Sequence, residues 1–176
     1  MTSTERTDIL EALSKHRELF RFTVQGITDE QASTRTTASE LTLAGLIKHV
    51  TQVEQNWASF VVDGPQDGPD IDWANVDWSN PPPQVAKYAD GFRMVEGETL
   101  AGLLEEYAAV AAATDELVRS VPSLDDSQPL PKAPWFEPGA RWTARRAFIH
   151  IVAETTQHAG HADIIRESLD GQKSMG

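Results

Sequence analysis

Apolar residues recur at helical spacing in four long segments, and this pattern predicts four helices of about 20 to 28 residues each. The first runs from about Thr4 to Gln25, with apolar residues at Ile9, Leu10, Leu13, Leu19, Phe20 and Val24, and stops at Gly26. Gly26-Ile27-Thr28-Asp29-Glu30-Gln31 reads as a helix stop followed by a short capped turn. The second helix is expected to take Ser39 as its N-cap, with Thr42 three residues on, and to end near Asp63-Gly64-Pro65. Its stripe is Leu46, Val50, Val53 and Trp57, flanked by Leu43 and Ile47. The third helix is predicted from about Thr99 to Val121, closed by Pro122, and the fourth from Trp142 to Leu169, ahead of the stop signal at Asp170-Gly171.

The connections differ in length. Residues 64–97 are rich in proline, glycine and aspartate, with Trp73, Trp78 and Tyr88 spaced along them and a short helix predicted from Pro83 to Phe92. Residues 123–139 contain Pro129, Pro131, Pro134 and Pro138, whose fixed backbone angles discourage helix and central strand alike. No segment alternates with period two convincingly, so the expectation is an all-α four-helix bundle with long crossover loops, forming one domain over residues 1–176.

At 176 residues the chain can bury about two thirds of its unfolded surface in one core. It has no cysteine, which excludes disulfides, thiolate metal sites and cysteine nucleophiles and fits a reducing compartment. The N-terminus lacks the basic and apolar blocks of a signal peptide, and no apolar run approaches a membrane span, so a cytoplasmic, membrane-free location is expected. A net charge of −12 without a compact basic cluster argues against nucleic acid as a partner. Acidic residues concentrate between 63 and 98, which would bias against anionic substrates if that loop lines a pocket mouth with Trp73, Trp78 and Trp135 as a lid.

Candidate chemistry concentrates in the fourth helix. At 3.6 residues per turn, His150, Glu154, His158 and His161 fall at about 0, 40, 80 and 20 degrees and share one face. On the second helix, His49 sits on the edge of the apolar stripe. Glu154 and His158 at i, i+4, together with His49, form a three-point site for a divalent ion with an open coordination position, the arrangement of catalytic rather than structural metal centres. Histidine and carboxylate together suit zinc, nickel, iron or manganese, and ligand type alone does not choose among them; zinc is taken as the first candidate. Two other assignments stay open on the residues alone. His158 and His161 can form the ligand pair with Glu154 behind them as base, and His150 can be a ligand or a packing group. His16, between Lys15 and Arg17, is placed at the surface or a pocket rim. There is no Gly-x-Ser-x-Gly element and no supported phosphate loop.

Leu46-Ile-Lys-His49-Val50-x-x-Val53-Glu54-x-x-Trp57, Trp142-x-x-Arg-Arg-x-Phe-Ile-His150 and Glu154-Thr-x-x-His158-Ala-Gly-His161-Ala-Asp163 together resemble the DinB-like superfamily, more narrowly its actinobacterial mini-circle protein branch. The resemblance implies an up-down-down-up bundle and a divalent metal held by His49, Glu154 and His158. The Glu-x3-His pair is similar to that of the metal-binding domain of mycothiol-dependent maleylpyruvate isomerase. His161 becomes an extra histidine beyond the usual triad, and His161 and His150 are the candidate catalytic or supporting groups. The resemblance further implies a small-thiol transferase or isomerase, of mycothiol type, acting on an electrophilic small molecule. A metal hydrolase using bound water, and a non-catalytic metal-binding stress or detoxification protein, are the rival readings. A homodimer is a further expectation.

Overall fold

The computed structural model describes residues 4–66, 75–77, 79–131 and 136–174, with backbone alone at 84, 86 and 87. Its helices are α1 (Thr4–Phe22), α2 (Asp29–Ser33), α3 (Leu43–Asp63), α4 (Pro83–Asp90), α5 (Leu100–Ser120) and α6 (Ala144–Asp170), with two short strands, β1 (Ser127–Pro129) and β2 (Arg141–Thr143). The expected all-α class holds, and so do the capped turn after Gly26 and the short helix at Pro83. The turn is a complete capping box: Thr28 Oγ1 accepts from Gln31 N while the Gln31 side chain accepts from Thr28 N.

Three boundaries differ from the sequence pattern. The N-cap of α3 is Thr42, not Ser39: Thr42 Oγ1 accepts from Gly45 N at 3.1 Å, whereas Ser39 Oγ closes a local turn on Leu41 N. Both are hydroxyl residues three apart, so periodicity alone could not separate them. Helix α1 ends at Phe22 because residues 23–25 tighten into bonds three residues back, Thr23 N to Phe20 O, Val24 N to Arg21 O and Gln25 N to Phe22 O, before Gly26 turns at φ +72°. The fourth long helix starts at Ala144 and not at Trp142, because Trp142 belongs to β2, which pairs antiparallel with β1 in the register Ser127–Thr143, Gln128–Trp142 and Pro129–Arg141. Strands of three residues are too short to show alternation.

The contacts between helix ends give the topology. Arg6 on α1 donates to the carbonyls of Val118 and Val121 at the end of α5, at 2.5 and 2.6 Å, so α1 and α5 are antiparallel. Glu5 meets Arg145 at the start of α6, and Arg166 near its end donates to the carbonyls of Thr23 and Gln25, so α1 and α6 are parallel. Lys48 early in α3 pairs with Glu98 just ahead of α5, consistent with parallel α3 and α5. The order is up-down-down-up. The consecutive helices α3 and α5 are parallel and need the long return of residues 64–99, whereas residues 121–143 join the antiparallel α5 and α6 and carry the β1–β2 pair.

The core has two apolar clusters. One contains Phe20, Leu46, Ile47, Leu103, Tyr107 and Ile165, the other Ile9, Leu13, Val118, Phe148 and Ile151. Between them in chain position lie Arg17 on α1, Glu54 on α3 and Asp115 on α5. Arg17 donates to Glu54 at 2.5 and 3.2 Å and to Asp115 at 2.7 Å. Glu54 is 0% exposed and Arg17 6%. Burial works to lower the Arg17 pKa, but the Glu54 carboxylate outweighs it and the net shift is upward.

A second close approach fixes the start of α3. A Cβ built on Gly45 would stand 2.0 Å from the carbonyl oxygen of Phe92, so only glycine lets the segment after α4 lie against this helix. Phe92 in turn stacks on His49, with ring centroids 4.3 Å apart.

Two outcomes follow. Glu54→Ala leaves the Arg17 charge half-paired in the interior and is expected to lower unfolding free energy by about 3–5 kcal/mol in a denaturant titration, with Arg17→Met/Glu54→Leu recovering most of it. Gly45→Ala is expected to cost at least about 1–3 kcal/mol in the same titration, because the clash is with backbone and cannot relax by side-chain rotation.

Candidate metal centre

The two helices that carry the candidate ligands run antiparallel. His49 on α3 meets His158 on α6, with ring centroids 4.8 Å apart and planes at 81°, and two turns further along α3 Trp57 meets His150 and Trp142. His49 comes inward because its neighbours Leu46, Ile47 and Val50 are buried against the core. On α6 the buried face of Phe148, Ile151, Thr155 and Ala162 leaves Glu154 and His158 at its margin, where their side chains are 25% and 12% exposed. One ligand atom from each of His49, Glu154 and His158 can be chosen so that all lie within 4.8 Å of one another. Among the described residues, no other group of three or more histidine, aspartate or glutamate side chains converges this way.

The flanking histidines continue the row. His150 Nε2 stands 3.5 Å from Glu154 Oε1, while His158 Nε2 stands 3.6 Å from Glu154 Oε2, so the two carboxylate oxygens face different imidazoles. On the far side, His158 Nδ1 and His161 Nδ1 are 3.3 Å apart, a distance at which one donates and the other accepts. His16 is not part of this row; it is partly exposed on α1.

The electrostatics favour neutral imidazoles. Burial, then the nearby His158, pushes the His49 pKa down to about 4. Burial also lowers His158 and His150, against the opposing pull of Glu154. Neutral imidazole carries the lone pair a metal needs, and the carboxylate supplies negative charge. A donor spacing within 4.8 Å closes by side-chain rotation onto ligand bonds of about 2.0–2.2 Å, so the residues present fit a divalent ion.

Around this row the walls are aromatic. Trp57 stacks on Trp142 at 4.6 Å, His150 meets both edge-on, and the Arg146 guanidinium lies 4.6 Å over the Trp142 ring. An open cavity of about 650 Å³ begins at Trp57 and is lined further by Asn56, Phe60, Asp63 and Pro131. Trp73, Trp78 and Trp135, read as minor-core anchors or else as a lid, lie outside the described residues, as do Asp67, Asp70 and Asp72 of the acidic loop. Arg145 is engaged by Glu5 and Asp125 and Arg166 by the end of α1, whereas Arg146 lies beside His150. Sequence reasoning missed Phe92 and Gly45 as supports of His49. An exposed-looking glycine at the third position of α3, where a better helix former costs nothing locally, was the available signal.

The sequence model of the family described as mycothiol S-transferase matches residues 8–171. No curated protein matches. Among solved structures, the chain is similar to the crystal structure of the conserved protein of locus from Enterococcus faecalis, at 19% identity and a TM-score of 0.65, covering 98% of this chain and 99% of that one. That likeness supports the helical fold. With the family match spanning nearly the whole sequence, the chain belongs to the mycothiol S-transferase family.

Proposed function

We propose that this chain is a divalent-metal-dependent S-transferase, acting in the cytoplasm as a single domain of the mini-circle branch, that joins a small thiol of mycothiol type to an electrophilic small molecule. The convergence of His49, Glu154 and His158 carries this reading, together with the family match. A divalent ion, zinc first among the candidates, lowers the pKa of a coordinated thiol and so supplies thiolate near neutral pH.

The chain's own groups have distinct parts in this scheme. His49 and His158 offer neutral nitrogen, and Glu154 offers Oε2. With a metal ion held at His158 Nε2, its Nδ1 would carry the proton and donate to His161 Nδ1, which would place the His161 proton on Nε2. His161 therefore orients His158, and His150 holds Glu154 Oε1. His150, with Nε2–H directed at Glu154, keeps its Nδ1 lone pair as an acceptor for the thiol proton, whereas both nitrogens of His161 are committed. Trp57 and Trp142 stack on each other and form an aromatic wall against His150.

Three outcomes test the assignment. Purified protein supplied with zinc is expected to hold about one ion per chain by elemental analysis, and His49→Ala, Glu154→Ala and His158→Ala to lose it while keeping wild-type circular dichroism. His161→Ala and His150→Ala are expected to bind the ion about 10–100-fold more weakly. Thiol conjugation to a model electrophile is expected to disappear in folded His158→Ala. Absence of any divalent ion in the wild type near neutral pH ends the proposal, and ester or amide turnover without thiol dependence moves it to the hydrolase reading.

A further inference from the structure

Two hydroxyls inside the bundle stand apart from the networks described above. Tyr107 on α5 and Thr155 on α6 are each 1% exposed, and Tyr107 Oη and Thr155 Oγ1 are buried without a hydrogen-bond partner among the described residues. Burial, then the Glu54 carboxylate, pushes the Tyr107 pKa up, while the Thr155 hydroxyl works against that rise. The two oxygens are therefore neighbours that miss the geometry of a direct hydrogen bond. Leaving both unpaired costs the desolvation of two hydroxyls with no bond to offset it.

A local acceptor is within reach of Thr155 and is not used. Thr51, Thr114, Ser120, Thr156 and Ser168 all lie within helices, and each donates to the carbonyl four residues back, at 2.7–3.0 Å. Thr155 does not take the equivalent carbonyl of Ile151, although its neighbour Thr156 takes that of Val152. Its hydroxyl is turned off its own helix and toward Tyr107. An acceptor for a further bond stands close by. Glu54 receives Arg17 Nη2 on Oε1 and Arg17 Nε on Oε2, and a carboxylate offers about four lone-pair sites, so roughly half remain. Neither hydroxyl residue lines the cavity at Trp57 or the grooves beside Arg21 and Glu106, so the position is closed to solvent and suits the smallest polar ligand.

We propose that Tyr107 and Thr155 hold one internal water molecule, which accepts a hydrogen bond from each hydroxyl and donates one to the Glu54 carboxylate. Three bonds are typical of a buried water. The bridge brings α6 into the polar layer, which Arg17, Glu54 and Asp115 otherwise confine to α1, α3 and α5. It also holds Thr155 inward, and with it the rotation of α6 that leaves Glu154, the preceding residue, at the helix margin. The inference rests on the core alone and is independent of the proposed activity.

A high-resolution crystal structure and water magnetic relaxation dispersion, both on the full chain, test it. The crystal is expected to show one ordered water within about 3 Å of Tyr107 Oη, Thr155 Oγ1 and a Glu54 oxygen. The dispersion is expected to lose one long-lived water per chain in Tyr107→Phe and in Thr155→Val, and to keep it in Thr155→Ser, all with wild-type circular dichroism. Should a variant fail to fold, the wild-type crystal decides. Two hydroxyls bonded directly with no density between them, Thr155 Oγ1 turned back onto the Ile151 carbonyl, or a water count unchanged in both variants overturns the proposal.

Discussion

The buried Arg17 guanidinium joins three of the four long helices through two carboxylates, and the registry of the whole assembly depends on it. Apolar clusters above and below can absorb small shifts by repacking. An ion pair with a fully buried Glu54 cannot, since any shift strands a charge in a medium that solvates it poorly. This polar layer therefore sets how far α3 is advanced relative to α1 and α5. The advance of α3 in turn fixes where His49 stands.

Helix α6 completes the arrangement from the remaining side. Its first turn is tied down through the β1–β2 pairing, where Ala144 N and Arg145 N donate to the carbonyls of Asp126 and Leu124, and its last turn through Arg166 on the tightened turn that ends α1. A helix anchored at both ends has little axial freedom. The four chemistry-bearing side chains at its margin are consequently held in a row by restraints lying far from them in sequence.

Much of this was legible in the sequence, and the misses have physical causes. Helical periodicity located all four long helices because each buries a continuous stripe, and it placed His150, Glu154, His158 and His161 on one face. The choice between Ser39 and Thr42 as cap was not legible, because both residues have the same hydroxyl chemistry and only tertiary position decides which one ends the turn. Arg17 and Glu54 were invisible as partners. Each reads as an ordinary charged residue on a helix, and their pairing exists only once α1 and α3 are packed. Phe92 against Gly45 and His49 was hidden for the same reason, since it comes from a connection and not from a periodic element.

The split of the donor set between α3 and α6 has a consequence in the order of assembly. His49 and His158 are separated by more than a hundred residues of chain, most of it the crossover, α5 and the short strand pair. Loop closure over such a span is entropically late, so the convergence is a long-range contact made after local helices have formed. Before α6 docks, a partly folded chain presents Glu154 and His158 alone, a weak two-donor pair. Tight retention of an ion at this centre would thus be a property of the completed topology and absent from its parts, which makes it a checkpoint on native structure as well as a feature of the site.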